Sequence, residues 1–167
     1  MPETLLFKRR FFLSLVLLSM LMGCSTTPEF KAAKVDKTLT PRSVIAEPDL
    51  SLHKIALWGG TILDTRNLED STQIEVLGYP LDSSHRPLLE KKPLGRFIIL
   101  QDGYLEPASY SQGTQLTVLG SIGVSQKGKI GEKLYIYPVV KAQQLHLWSA
   151  TDGRSNTRFH FGIGIRL

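Results

Sequence analysis

The stretch "KIALWGGTILDT" (residues 54–65) decides the architecture. Its apolar side chains alternate: Ile55, Leu57 and Leu63 fall on one face of an extended chain, and Ala56, Trp58 and Ile62 fall on the other. A period of two marks a strand, whose successive side chains point to opposite sides. The following "STQIEVLGY" (71–79) sets Ile74 and Val76 against Gln73 and Glu75, and the polar "RNLED" (66–70) between the two runs makes a turn. Together they predict a β-hairpin.

The pattern continues to the C-terminal side. "GRFIILQDGYL" (95–105) predicts a strand bent at Asp102-Gly103. "TQLTVLGSIGVSQ" (114–126) alternates Leu116, Val118, Ile122 and Val124 with Thr117, Ser121 and Ser125, and its internal Gly120 and Gly123 mark a bulge or tight coil. "EKLYIYPVVKAQQLHLW" (132–148) predicts another strand, with Pro138 at an edge or bulge because proline cannot donate to the ladder. The final "FHFGIGIRL" alternates Phe159, Phe161, Ile163, Ile165 and Leu167, which reads as a sixth strand or as the closing strand of an outer-membrane barrel. An all-β domain of five to six strands, glycine-punctuated and bent, suggests a small OB-like barrel spanning 54–167, with a flattened β-sandwich as the alternative.

Toward the N-terminus the character changes. Lys8, Arg9 and Arg10 precede a nearly unbroken apolar run from Phe11 to Met22. Those 12 residues, as a helix, cover about 18 Å. That is well short of the ~30 Å hydrocarbon core, so the run suits a signal-peptide h-region better than a membrane span. Leu21-Met22-Gly23-Cys24 resembles the bacterial lipobox, in which a peptidase cuts before a lipidated cysteine. Cys24 is the one cysteine of 167 residues, so it forms no internal disulfide, and its uncharged neighbours Met22, Gly23, Ser25 and Thr26 would not activate a catalytic thiolate. The expectation is a signal peptide over 1–23, cleaved between Gly23 and Cys24. A diacylglycerol and an N-acyl chain on Cys24 then provide the membrane contact. Ser25 after the cysteine points to the outer membrane. The segment 24–53, broken by Pro28, Pro41 and Pro48, reads as a flexible tether. Around Leu50 and Leu52 it has residues that could pack on the domain.

Charge and motifs narrow the function classes. Residues 1–23 hold three of the 20 basic and one of the 15 acidic residues, leaving 17 and 14, a net charge of +3. With no basic run, this argues against a nucleic-acid partner. His53, His85, His146 and His160 are too scattered for a local metal motif, so no metal is expected. No GxSxG or phosphate loop is present: "SQKGKIGEK" lacks the Gly-Lys-Ser/Thr ending, and Ser109 and Ser111 have no visible catalytic partners. Asp64, Glu69, Asp70 and Glu75 read as solvated carboxylates. No catalytic residues are therefore assigned, and no cofactor beyond the lipid is expected. The aromatic residues Trp58, Tyr104, Tyr110 and Trp148 form a candidate binding face on which a sugar or glycan could stack, although large aromatics also close barrel ends. The charged loops "DTRNLEDS" and "SSHRP" are candidates for contact with another envelope protein.

The chain resembles the Slp family of bacterial lipoproteins through the order and spacing of several stretches. They are "LWGGTILDTRN", "TQIEVLGYPLDSSHRP", "GRF" (95–97), "GYLEP" with Tyr110 and Gly113, "LTVLG", "GKIGE", and "YIYPVV" followed by "LHLW". It departs from the family pattern at Glu106, where Asp is expected, at His85, where Gly is expected, and at Thr114, where Arg often stands. The resemblance implies a non-enzymatic outer-membrane lipoprotein facing the periplasm of a Gram-negative bacterium. It also implies an OB-like domain and a role tied to starvation or stress, and it supplies no catalytic residues.

Overall fold

A computed structural model describes residues 28–31 and 34–149. Gly23, Cys24, Ser25 and the expected strand Phe159–Leu167 lie outside the described residues. Two short helices, α1 (Pro41–Ala46) and α2 (Pro48–Ser51), precede five strands: β1 (Ile55–Asn67), β2 (Ser71–Tyr79), β3 (Gly95–Asp102), β4 (Gln115–Ile130) and β5 (Lys133–Trp148). The strands close into a barrel, the all-β arrangement the alternation predicts, in the order β1-β2-β3-β5-β4. β1–β2, β2–β3, β1–β4 and β4–β5 are antiparallel. The parallel β3–β5 joint is short, pairing Ile98, Ile99 and Leu100 with Val139, Val140 and Lys141.

Alternating residues fill the interior. Ala56, Trp58 and Ile62 of β1 meet Ile74 and Val76 of β2, Phe97 and Ile99 of β3, Leu116, Val118 and Ile122 of β4, and Val140 of β5, all in one buried cluster. Three bulges interrupt the alternation. In β1, Ile62 pairs with Val76 but Asp64 pairs with Glu75, so Leu63 is the extra residue. Past it the parity flips: Thr65 and Asn67 come to lie opposite the buried Ile74 and Thr72. In β5 the extra residue is Gln143, between the partners of Leu119 and Gly120. In β4, Val124 and Ser125 stand across from the single residue Pro138, as expected for a proline without an N–H. That bulge carries Val124 out of the alternating inner set, leaving it 77% exposed.

Beyond the third bulge, β4 and β5 continue as a hairpin arm that lies over the outside of β3 and β2. Tyr137 and Val139 pack with Ile98 in a second, smaller apolar cluster, flanked by Leu100, Ile130 and Tyr135. An ion pair pins the arm: Arg96 Nη1 donates to Glu75 Oε1 at 2.8 Å, and Tyr137 OH lies 3.2 Å from the same oxygen. The bond to Glu75 raises the Arg96 pKa, and desolvation together with the Glu75 charge raises that of Tyr137. The folded protein thus holds the Tyr137 proton more tightly than the unfolded chain does. Its contribution is complete below about pH 10, the unfolded value, and fades as pH rises through the folded-state pKa. Tyr137→Phe should flatten the alkaline side of a stability–pH curve measured by denaturant unfolding. At neutral pH it should cost about 0.5–1.5 kcal/mol for the lost hydrogen bond.

The segment expected as a tether is, in its second half, part of the domain. Leu39 and Val44 are buried in the barrel cluster, at 9% and 0% exposure. Thr40 caps α1: its Oγ1 accepts from Ser43 N–H at 3.1 Å, and Ser43 Oγ accepts from Thr40 N–H at 2.9 Å. Pro41 and Pro48 each begin a helix, where proline's missing N–H is harmless. Leu50, expected to pack, is instead 69% exposed.

Candidate functional site

The two ends of the barrel differ. One end, where β1 turns into β2, is sealed by polar groups that the first bulge delivers. The single proton of the Thr72 hydroxyl serves one of two carbonyl oxygens, Asn67 Oδ1 or Gly103 O, and its oxygen accepts from Leu105 N–H at 3.0 Å. Asn67 Nδ2 donates to Leu105 O at 3.2 Å, and Thr65 Oγ1 donates to Tyr110 O at 2.7 Å. Leu105 and Tyr110 pack on the core from this loop.

At the other end, residues 35–41 cross the barrel mouth and leave a cleft of about 590 Å³ beneath them. Its walls are Phe30, Val35 and Leu39 from the crossing segment, Leu57, Trp58 and Phe97 from the strands, and Leu81 and Leu94 from the β2–β3 connection. Volumes of about 300–1,000 Å³ with a largely apolar lining are usual for small-ligand sites, and barrel mouths are a common place for them. Several polar groups on the wall are already occupied, while Lys37, Tyr79, Ser83 and His85 also line it. Trp58 Nε1–H donates to Leu39 O at 2.9 Å. Asp36 accepts from the Thr38 hydroxyl (2.6 Å) and N–H (3.0 Å), and Lys54 Nζ lies 3.6 Å away. The Thr38 bonds, and then the Lys54 charge, hold Asp36 below the ordinary carboxylate range. Asp82 Oδ1 accepts from Ser84 and Arg86 N–H at 2.8 and 2.9 Å. What the cleft offers a ligand is therefore apolar surface from Leu39, Trp58, Leu81, Leu94 and Phe97 beside the polar side chains of Lys37, Tyr79, Ser83 and His85.

The β2–β3 connection reaches the cleft because it lies down on the barrel wall. Gly59 makes room for it: a Cβ there would sit 2.9 Å from Leu81 Cδ2 and 2.8 Å from Leu116 O. The "SSHRP" loop, expected as a free contact loop, is instead fastened. Thr117 Oγ1 donates to His85 O at 2.6 Å and accepts from Trp148 Nε1–H at 2.9 Å. Arg86 stacks over Trp148, 5.5 Å from the ring centroid, and its Nε donates to Gln115 Oε1 at 3.3 Å. His85 has φ +67°, the left-handed region, at the position where the family pattern expects glycine.

The structure does not gather the four aromatic candidates into one face. Trp58 is in the barrel interior, edge-on to Phe97 with centroids 5.1 Å apart, and only its cleft-side edge is open. Trp148 is buried beneath Arg86. Tyr110 is half-buried at the sealed end, where burial raises its pKa. Tyr104 is 68% exposed, and its OH donates to Glu106 at 3.2 Å. Both indole N–H groups are spent on internal acceptors, and both rings are buried. The alternation in 54–65 already assigned Trp58 to the face of Ala56 and Ile62. The cleft's Phe30, Leu39, Leu81 and Leu94 lie in segments that sequence reading treats as tether or loop, where single apolar residues between prolines were the available signal. Among the described residues no group of three or more His, Cys, Asp and Glu side chains is placed to hold a metal ion.

Comparison with known proteins places the chain in a family. The family model described as outer membrane lipoprotein Slp family matches residues 21–162, beginning at the Leu21-Met22-Gly23-Cys24 stretch. An uncharacterized protein of Haemophilus influenzae is 35% identical over 131 residues, covering 77% of this chain and 70% of that one. The uncharacterized lipoprotein YeaY of Escherichia coli is 32% identical over 137 residues, covering 80% and 69%. The outer membrane protein Slp of Escherichia coli is 29% identical over 131 residues, covering 77% and 69%. The chain belongs to the Slp family of outer membrane lipoproteins.

Proposed function

We propose that the protein is cleaved between Gly23 and Cys24 and anchored through a diacylglycerol and an N-acyl chain on Cys24, displaying its barrel on the periplasmic face of the outer membrane. Ser25 supports outer-membrane sorting. The barrel works there without catalysis, in a structural or interaction role that maintains the envelope under starvation or stress, with an envelope protein or glycan as partner. The observation that carries this reading is the family match that starts at the lipobox itself. The described domain is consistent with it, because Asp36, Asp82 and the Trp58 indole at the cleft are held in structural hydrogen bonds.

A single acyl chain gives only marginal membrane binding, whereas two or more give stable attachment. Cys24→Ser should therefore abolish outer-membrane fractionation and leave an uncleaved precursor. Intact-mass analysis of the extracted native protein should give a chain starting at Cys24 with acyl groups added. A native chain that keeps residues 1–23, or an unmodified Cys24, would refute the proposal.

A further inference from the structure

We infer that the cleft at the barrel mouth holds one of the acyl chains carried by Cys24, so that the domain sits folded back on its own anchor. The inference rests on the anchoring proposed above. Three observations support it. The cleft's apolar wall is built from Leu39, Leu57, Trp58, Leu81, Leu94 and Phe97, and Trp58 Nε1–H, Asp36 and Asp82 are already hydrogen-bonded inside the protein, which leaves Lys37, Tyr79, Ser83 and His85 as its other polar side chains. Its volume, about 590 Å³, is of the size that takes a single small ligand. Its wall also includes Phe30, six residues from Cys24.

Six residues reach at most about 21 Å when extended. An acyl chain spanning one leaflet is about 15 Å long, half the ~30 Å hydrocarbon core. Reach alone therefore allows a chain on Cys24 to enter the mouth between Phe30 and Leu81. Tethering makes this an intramolecular event at an effective concentration of order millimolar, and the cleft competes with the bilayer by offering the chain comparable apolar contact. The remaining chains stay in the bilayer and keep the protein attached. The crossing segment 35–41, packed over the mouth through Leu39, then acts as the cover of an occupied site instead of a spacer.

The test uses full-length lipidated protein from cells fed a diazirine fatty acid, so that the chains on Cys24 carry the photo-label. After reconstitution in nanodiscs and irradiation, peptides are mapped by mass spectrometry. Label on peptides containing Leu57, Leu81 and Leu94 should exceed that on the hairpin arm (126–137) by about tenfold, the low end of effective-concentration gains. It should fall to the arm's level in Leu81→Asp, which places a charge in the cleft. A second arm puts the diazirine only in the nanodisc phospholipid. Labelling of the cleft from that source, or no excess label in the cleft from the anchor, overturns the inference while leaving the anchoring intact. An intact mass without acyl groups on Cys24 overturns both, and so separates the two failures.

Discussion

Phe97→Ala should destabilise the barrel by about 3–5 kcal/mol, the range for truncating a buried aromatic. Phe97 is fully buried, stands edge-on to Trp58, and forms the floor shared by the core and the cleft. Removing its ring opens the interior into the cleft, and the closed strands around it cannot collapse to fill the space. Domains of this size are stable by only about 5–15 kcal/mol, so the variant should unfold at much lower denaturant. The measurement is urea unfolding followed by tryptophan fluorescence. Leu134→Ala, at a site 83% exposed on the arm, is the control and should shift stability by no more than about 0.5 kcal/mol. An equal, small effect at both positions would contradict the packing.

Gly120→Ala should be comparably damaging for a different reason. A Cβ at Gly120 would lie 2.1 Å from Lys141 O, a backbone atom of the neighbouring strand that cannot swing away. At Gly60 the corresponding distance is 2.0 Å, to Leu77 O. In both places the sheet must separate locally, and overpacking of this kind costs about 3 kcal/mol or more. Three residues along the same strand, Gly123→Ala would meet Lys141 Cε at 3.5 Å, an ordinary contact, and should be tolerated. The pair isolates backbone approach from generic loss of glycine. Thermal unfolding of the two variants reads the difference, and similar melting temperatures would refute it.

Much of the fold was legible because a half-buried strand writes its two faces into the sequence. The alternation in 54–65 and 71–79 predicted the β1–β2 hairpin and grouped Trp58 with Ala56 and Ile62 on one face, which the fold turns inward. Pro138, expected at an edge or a bulge, sits opposite the β4 bulge. The phase of the pattern failed where an extra residue entered: Val124 continued the alternation on paper but is turned outward after the β4 bulge. The helices were missed because Pro41 and Pro48 were taken as breakers, when each is a first helical residue. Thr40-Pro41 with Ser43 was the available cap signal. The cleft was illegible for another reason. Its walls come from residues 30–41, 57–58, 78–85 and 94–97, and only the folded ring brings these together. That the four aromatic candidates lie apart could not be read from composition, which does not say which rings the fold buries, and Trp58 and Trp148 are both buried with their N–H groups bonded internally. Their acceptors are Leu39 O and Thr117 Oγ1, distant in sequence.

The ring order also constrains how the protein is made. β4 pairs with β1, and β5 is wedged between β3 and β4, so the last strands translated are the ones that complete the enclosure. To reach the outer membrane the chain must first cross the inner one, N-terminus leading, so β1 to β3 emerge before β4 and β5. During that interval Trp58 and Phe97 have no roof, and the nascent three-stranded sheet is a natural client for a holdase chaperone.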